Sequence, residues 1–520
     1  MLSFEVRETD LAGRIGRIHV GGKTFETPAY LPVVHPIAQQ IPAKVLKEIG
    51  FEAIMTNSYI TMKKFPDGVD IHRQTGFDGV IMTDSGGYQA LLYGDVEAEP
   101  IQIAEYQVKI GTDIAVILDL PTGAAKDRKK AELTVHETLL AAEKSLPYMK
   151  KPPAWAGPIQ GGSFEDLVRL SAKKMSSLPF DLFAIGSPVE FMNNYRYREV
   201  VKLIATAKSE LPADKPVHLF GAGHPFTIPL AVALGCDMFD SASYALFAKE
   251  DKYMLQNGVR ELHELEVLPC SCRVCSDYTA ESLKALPREK RMAELALHNL
   301  FIIKQEVDMT KEAIREGRLW NYLMLRLRSH PNLFSVLPFP EPVLKQFEEG
   351  SRVDKRRAFF FFDVYDLDSP EVRMHRRRMI SNYTKRSDSL TIIFLQGDAD
   401  RVFTSSGQLL TEASKTKTDL AIFHPFLSVI PVAILGIYPL VQNVTPSVTP
   451  EDVLVDSLSF LMSWIIRKRY SKVNIARQTM FLPYSARLKE FVRKLKDRGI
   501  DVKLIRIKGI GTNSSKNASV

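Results

Sequence analysis

The sequence predicts a (β/α)8 barrel that carries an inserted lobe and is followed by a smaller α/β domain. Three observations lead there. Eight short apolar runs, each closing on polar or glycine residues, recur between residues 28 and 242, with helical stretches between most of them. A tight cluster of cysteines follows, with a histidine on a later helical stretch. From residue 389 a second, shorter alternation of apolar runs and amphipathic stretches begins. Strands alternating with helices form right-handed βαβ units and a parallel sheet, and eight such units close a barrel. A doubly wound open sheet is the alternative.

The eight runs are 28–33, 53–58, 80–87, 115–119, 156–162, 182–187, 217–223 and 238–242. Helices are expected over 101–110, 129–149, 163–175 and 196–210. The third opens on Ser163 as a candidate cap, with Glu165 and Asp166 placing acids in the first turn. In such barrels the chemistry sits at the C-terminal strand ends. Those ends here carry Asp84, Asp119, Gln160, Gly186, Gly223 and Asp240. A lone aspartate at a strand end is usually a cap or turn residue. Three at corresponding ends, beside glycines that admit a close ligand, converge on one mouth. One chemistry that fits uses a carboxylate nucleophile and a second carboxyl as acid/base to displace a group from a sugar C1′ with retention. An amide, an aspartate and backbone groups suit the edge of a purine-like base.

The inserted lobe is built on Cys270, Cys272 and Cys275, followed by His298. Thiolates and an imidazole at such spacings suit tetrahedral Zn2+, and four protein ligands leave no open position, so the expected zinc is structural. Disulfides would leave one of the three clustered thiols unpaired. Cys236 lies in the apolar run 232–236 and reads as a buried free thiol.

Four cysteines with a metal-like cluster suit a reducing cytoplasm, and residues 1–6 show no signal-peptide pattern. No membrane span is expected: the most apolar stretch, 420–444, contains His424, Pro425, Pro431 and Pro439. The charge is uneven. Residues 351–520 hold 28 Lys+Arg against 16 Asp+Glu, a net of +12, whereas the rest of the chain has a net of −5. A basic tail on a slightly acidic front half suits a polyanionic partner; a solvated surface is the plainer reading.

Taken together, the motifs resemble the tRNA-guanine transglycosylases. The resemblance rests on residues 83–89 (Thr-Asp-Ser-Gly-Gly-Tyr-Gln), 158–162 (Pro-Ile-Gln-Gly-Gly), 221–225 (Gly-Ala-Gly-His-Pro), 239–244 (Phe-Asp-Ser-Ala-Ser-Tyr) and the Cys-x-Cys-x-x-Cys…His site, in family order from about residue 3 to 335. It implies a glycosyltransferase that swaps a guanine in tRNA for a 7-deazaguanine without cutting the backbone. Asp240 would be the nucleophile that forms a covalent tRNA–enzyme intermediate. Asp84 would protonate the departing guanine and then deprotonate the incoming base. Asp119, Gln160 and Gly186 would grip the base, with Ser85 assisting. Cys270, Cys272, Cys275 and His298 match the family's zinc ligands. Bacterial and eukaryotic members generally end soon after the zinc region, so the long tail resembles the archaeal branch. That branch inserts 7-cyano-7-deazaguanine (preQ0) at position 15 in the D-arm, the first tRNA step towards archaeosine. The alternatives are a zinc-stabilised barrel hydrolase of nucleoside N-glycosides and a non-catalytic tRNA-binding paralogue.

Four regions are expected: a barrel with its zinc lobe over 1–337, a basic connecting segment over 338–388, an α/β domain over 389–510 and a disordered tail over 511–520. In the stretch 311–330, Arg315, Arg318, Arg326 and Arg328 surround Trp320 and Tyr322. They fit either a phosphate-facing surface or a helix packing its aromatics inward. The clusters 355–357 and 376–378 set cations beside aromatics, as nucleic-acid surfaces do, while Phe359 to Phe362 read as a buried strand. The chain has no recognisable RNA-binding PUA module. A separate PUA-type protein and a second copy of the chain are therefore the partners left open beside tRNA and preQ0.

Overall fold

Each of the eight apolar runs forms a strand, and the eight are parallel neighbours. The computed structural model describes residues 2–87, 99–150, 152–394, 418–440, 442–478 and 485–507. It separates into two units, 1–351 and 352–520.

The first unit opens with an antiparallel meander of β1 (Ser3–Asp10), β2 (Gly13–Val20) and β3 (Lys23–Thr27). The barrel strands follow: β4 (Ala29–Pro32), β5 (Ala53–Asn57), β6 (Val80–Asp84), β7 (Ile114–Val116), β8 (Ala154–Ile159), β9 (Leu182–Ile185), β10 (Val217–Leu219) and β11 (Met238–Ser241). Their order around the sheet is β4-β11-β10-β9-β8-β7-β6-β5. A bridge between Val33 and Met55 joins the two ends, with Val34 N–H donating to Met55 O at 2.8 Å. The expected (β/α)8 barrel is therefore present.

Side chains alternate across a strand, so every second residue points inward. Leu31, Met55, Met82, Val116, Ala156, Leu182 and Met238 meet in one core. Ile18, Val20 and Phe25 of the meander join it beside Ala53, Val80, Ile114 and Ala154, the first residues of β5 to β8. The meander thus plugs the N-terminal end and leaves the C-terminal end for chemistry. It lies ahead of residue 28, where the apolar runs that mark the barrel strands begin, and is not among them.

The helices Pro100–Lys109, Arg128–Ser145, Glu165–Ser176 and Tyr197–Lys208 lie close to their expected positions. One detail is corrected. Phe164, not Ser163, is the N-cap of Glu165–Ser176, and no side chain caps it; Glu165 and Asp166 do occupy the first turn. Cys236 is buried and free.

The lobe is made of the hairpin β12 (Lys252–Leu255) and β13 (Gly258–Glu261), the short helix Arg273–Asp277 and the long helix Arg288–Glu316. Gly317, in the left-handed conformation, ends that long helix, and Leu319–Leu327 starts another. Trp320 is fully buried, and the buried Arg326 donates to Glu306 Oε1 at 2.8 Å. Arg315 pairs with Glu26 at 3.0 Å. Trp320 follows the inward-packing reading of the aromatics, whereas Arg326, expected by neither reading to be buried, is drawn inside by Glu306 and forms no part of a phosphate-facing surface.

The second unit contains β14 (Phe359–Phe360), β15 (Ser389–Phe394), β16 (Asp419–His424), β17 (Ser428–Pro431), β18 (Asn443–Val444), β19 (Lys472–Gln478) and β20 (Asp501–Ile507). Five of these make a sheet in the order β17-β16-β15-β19-β20, parallel except for the β16–β17 pair. The helices Pro370–Ser381, Glu451–Arg467 and Ser485–Lys496 complete an α/β unit. Phe359 and Phe361 are buried and Phe362 is exposed, so the phenylalanine run alternates rather than burying every ring. The apolar stretch after residue 420 supplies β16, β17 and turns. Among the described residues no helix is long and apolar enough to cross a membrane.

The stretch 338–388 divides between the units: the helix Glu341–Gly350 belongs to the first, and residues from 352 belong to the second. Within it, Lys355 is buried and pairs with Glu371 at 2.5 Å, and Arg376 pairs with Asp456 at 2.6 Å. These two cations are engaged in protein ion pairs instead of forming free triple clusters. Residues 511–520, expected as a tail, lie outside the described residues.

Candidate active site

Strand register builds the site. β5 and β6 set Asn57 opposite Asp84, and β10 and β11 set His218 opposite Met238. Met82 and Met238 both point into the barrel core. Two residues further along each strand come Asp84 and Asp240, on the same inward face at the C-terminal end. Both core methionines are therefore followed by carboxylates at the mouth.

The Asp84 carboxylate is surrounded by acid. Burial, then the charges of Asp119 and Asp240, push its carboxyl up to about 7, against weaker downward effects of the Gly86 N–H and the Asn57 amide. Asn57 Nδ2 donates to Asp84 Oδ2 at 3.0 Å. Its Oδ1 accepts from Ile60 N–H and so caps the helix Ser58–Lys64, which holds the amide at a fixed angle. Ser58 Oγ donates to the main-chain oxygen of Asp84 at 2.8 Å.

Asp119 and Gln160 form a second group. Gln160 Nε2 donates to Asp119 Oδ2 at 2.7 Å, and Ser85 Oγ lies 3.5 Å from Asp119 Oδ1. Burial lifts the Asp119 carboxyl to about 6, opposed by these hydrogen bonds. Gln160 Oε1 accepts from Thr122 N–H at 3.0 Å and Ser187 Oγ at 2.7 Å. With both ends bonded, the amide cannot flip, and it presents its N–H side to the aspartate. Gly186 lies against this amide. Ser85 is fully buried and meets Asp119.

Asp240 accepts two hydrogen bonds on one oxygen: His218 Nε2 lies 2.7 Å and Gly221 N 3.0 Å from Oδ1. The structure brings Asp84, Asp119, Gln160, Gly186 and Asp240 together at one end of the barrel, each at or just beyond a strand terminus. Sequence reading missed Asn57, Ser187 and His218. All three lie inside the quoted runs, and inward parity marks Asn57 and His218. Nothing local says that either meets a carboxylate.

The second candidate centre is the sulfur cluster. The ligand atoms of Cys270, Cys272, Cys275 and His298 all lie within 4.8 Å of one another. Cys272 Sγ and Cys275 Sγ are 3.6 Å apart, and each is 3.4 Å from His298 Nδ1. Tetrahedral zinc with bonds of about 2.3 Å to sulfur needs sulfur–sulfur edges of about 3.7 Å, so the donor set fits. His298 Nε2 donates to Met254 O at 2.9 Å, which leaves Nδ1 as the ligand atom. The Tyr253 ring stacks on His298 at 3.7 Å, and its hydroxyl lies 3.1 Å from Cys275 Sγ. The four residues could hold a metal ion, consistent with zinc.

A parallel eight-stranded barrel with carboxylates at its mouth and a Cys3His lobe defines a narrow class of barrel enzymes. The family model Queuine tRNA-ribosyltransferase matches residues 10–332. The tRNA-guanine(15) transglycosylase of Methanocaldococcus jannaschii is 39% identical over 458 residues, covering 86% of this chain and 69% of that protein. The protein of the same name from Saccharolobus solfataricus is 39% identical over 488 residues, covering 91% and 97%. That of Pyrococcus abyssi is 44% identical over 383 residues, covering 73% and 65%. The chain belongs to the queuine tRNA-ribosyltransferase family, a family of transferase enzymes acting in tRNA modification, and is of the archaeal type.

Proposed function

We propose that the chain replaces guanine 15 in the D-arm of tRNA with preQ0 through a covalent aspartyl-ribosyl intermediate, the first tRNA step of archaeosine synthesis. The carrying observation is the pairing of a carboxyl raised to about 7, Asp84, with a second carboxylate, Asp240, on the same inward face of the barrel. One acid held protonated near neutrality beside another that is hydrogen-bonded as an acceptor is the division of labour that glycosyl transfer with retention needs. The position number follows the names of the archaeal relatives.

In this reading Asp240 attacks the ribose C1′. The C1′–N9 bond breaks, and the electron pair leaves with guanine, which takes the proton of Asp84. The incoming base then gives a proton back to Asp84 and attacks C1′, and the Asp240 ester bond breaks. Asp119, Gln160 and Gly186 hold the base edge, and Ser85 steadies Asp119. Zinc held by Cys270, Cys272, Cys275 and His298 would supply folding energy to the lobe. The basic second unit would contact tRNA phosphates, and the reduced thiols suit a cytoplasmic setting.

The experiment is release of labelled guanine from tRNA with and without preQ0, with a denaturing gel for the adduct. Release that requires preQ0, with an adduct in the wild type and none in Asp240→Asn, is expected. Release in the absence of any free base would instead indicate a hydrolase. An adduct that survives Asp240→Asn would remove Asp240 from the role.

A further inference from the structure

We infer that His218 is the positioning residue of Asp240, and that it leaves Oδ2 as the oxygen that attacks the ribose. The inference rests on the base-exchange reading above and assigns a task to a residue that reading does not use.

His218 is the middle residue of the three-residue strand β10, level with Ala184 on one side and Met238 on the other, and is fully buried. Burying an imidazole among apolar barrel side chains is unfavourable unless its polar atoms are engaged. One of them is: Nε2 lies 2.7 Å from Asp240 Oδ1. Nδ1 is buried with no partner among the described residues. A proton on Nδ1 would be buried without an acceptor and would turn the Nε2 lone pair towards a carboxylate. The ring therefore carries its proton on Nε2 and donates it to Asp240.

The same oxygen takes a second donor. Gly221 N–H reaches Oδ1 at 3.0 Å from a residue at φ +68°, where a β-carbon would lie 2.2 Å from Val189. Two converging donors on Oδ1 fix the rotation of the carboxylate about its Cβ–Cγ bond. Among the described residues none donates to Oδ2. Attack requires the nucleophile at a defined angle and distance to C1′, and a carboxylate pinned through one oxygen presents the other.

The pairing serves both half-reactions. In the first, an Oδ2 lone pair forms the Oδ2–C1′ bond while the C1′–N9 pair departs with guanine and the Asp84 proton. Oδ1 becomes the ester carbonyl and keeps both donors. In the second, the pair of the Oδ2–C1′ bond returns to the carboxylate as the deprotonated incoming base attacks C1′. The donors on Oδ1 then stabilise the charge that reappears.

The test compares His218→Phe, which keeps a ring of similar volume but has no donor, with His218→Gln, whose amide can reach the same oxygen. Preparations of the full chain are assayed for preQ0 exchange into tRNA, for tRNA KM and for melting. His218→Phe should lower kcat by roughly 10- to 100-fold, the loss of one hydrogen bond to a charged group. Its tRNA KM and melting should stay at wild-type values, and His218→Gln should recover most of the rate. A wild-type kcat in His218→Phe overturns the inference, as does a loss that His218→Gln fails to restore. If His218→Phe does not fold, His218→Ala replaces it under the same comparison. Asp240→Asn is measured alongside: an active Asp240→Asn removes the underlying reading, whereas an inactive one beside a fully active His218→Phe removes only the role of His218.

Discussion

A β-carbon placed on Gly186 would fall 2.4 Å from Nε2 of Gln160. The glycine at the end of β9 is therefore set by contact with the amide that holds Asp119, and not by a backbone requirement. Gly186→Ala must displace Gln160, whose Oε1 is already bonded to Thr122 and Ser187. We expect a higher KM for the incoming base, on the order of ten-fold for about 1.4 kcal/mol of lost binding, with melting close to wild type. An unchanged base KM would show that Gly186 and Gln160 lie outside the base site.

Asp84 offers a stability test with a defined sign. Its carboxyl is fully buried and raised from 3.8 to about 7, so between those values the folded chain binds a proton that the unfolded chain has released. Stability from this group is full below pH 4 and is lost as pH rises to about 7. Asp84→Asn removes that loss. It should stabilise the fold at pH 8 by on the order of 4 kcal/mol and so raise the melting temperature, and the difference from wild type should vanish near pH 4. Exchange activity should disappear at both pH values. Equal melting of the two proteins at pH 8 would mean that Asp84 is not destabilised by its neighbours.

Cys272→Ser tests the lobe. If the cluster holds Zn2+, three thiolates and a neutral imidazole would leave a local charge of −1 and no open position, and metal binding would act as folding energy. Bound zinc and melting temperature should both fall, and a chelator should lower wild-type melting in the same direction. Retained zinc with unchanged melting would argue for another role.

The basic clusters of the second unit should not behave alike. Lys355 is buried against Glu371, so Lys355→Ala leaves an uncompensated carboxylate and should cost about 3–5 kcal/mol of stability. Arg377 and Arg378 are exposed on the helix Pro370–Ser381. Replacing both with alanine should make the dependence of tRNA affinity on salt shallower and leave melting unchanged. A tRNA titration at several salt concentrations separates the two outcomes, and identical slopes for wild type and the double variant would remove these arginines from the RNA surface.

The barrel, the cluster of three cysteines and a histidine, and the three aspartates at the strand ends were all legible in the order of the residues. Each is legible because its signal is local: a short apolar run bounded by turn residues, three thiols within six positions, a carboxylate at the end of a run. Which groups face one another is set by strand pairing and packing between distant parts of the chain. Asn57 meets Asp84 because β5 and β6 pair in that register, and His218 meets Asp240 across two strands. Arg326 and Lys355 read as surface cations, yet their partners, Glu306 and Glu371, lie 20 and 16 residues away in the chain and draw them inside. The rise of Asp84 to about 7 likewise has no local origin. Desolvation and the charges of Asp119 and Asp240 act through space, and their strength depends on distances that exist only once the barrel has closed.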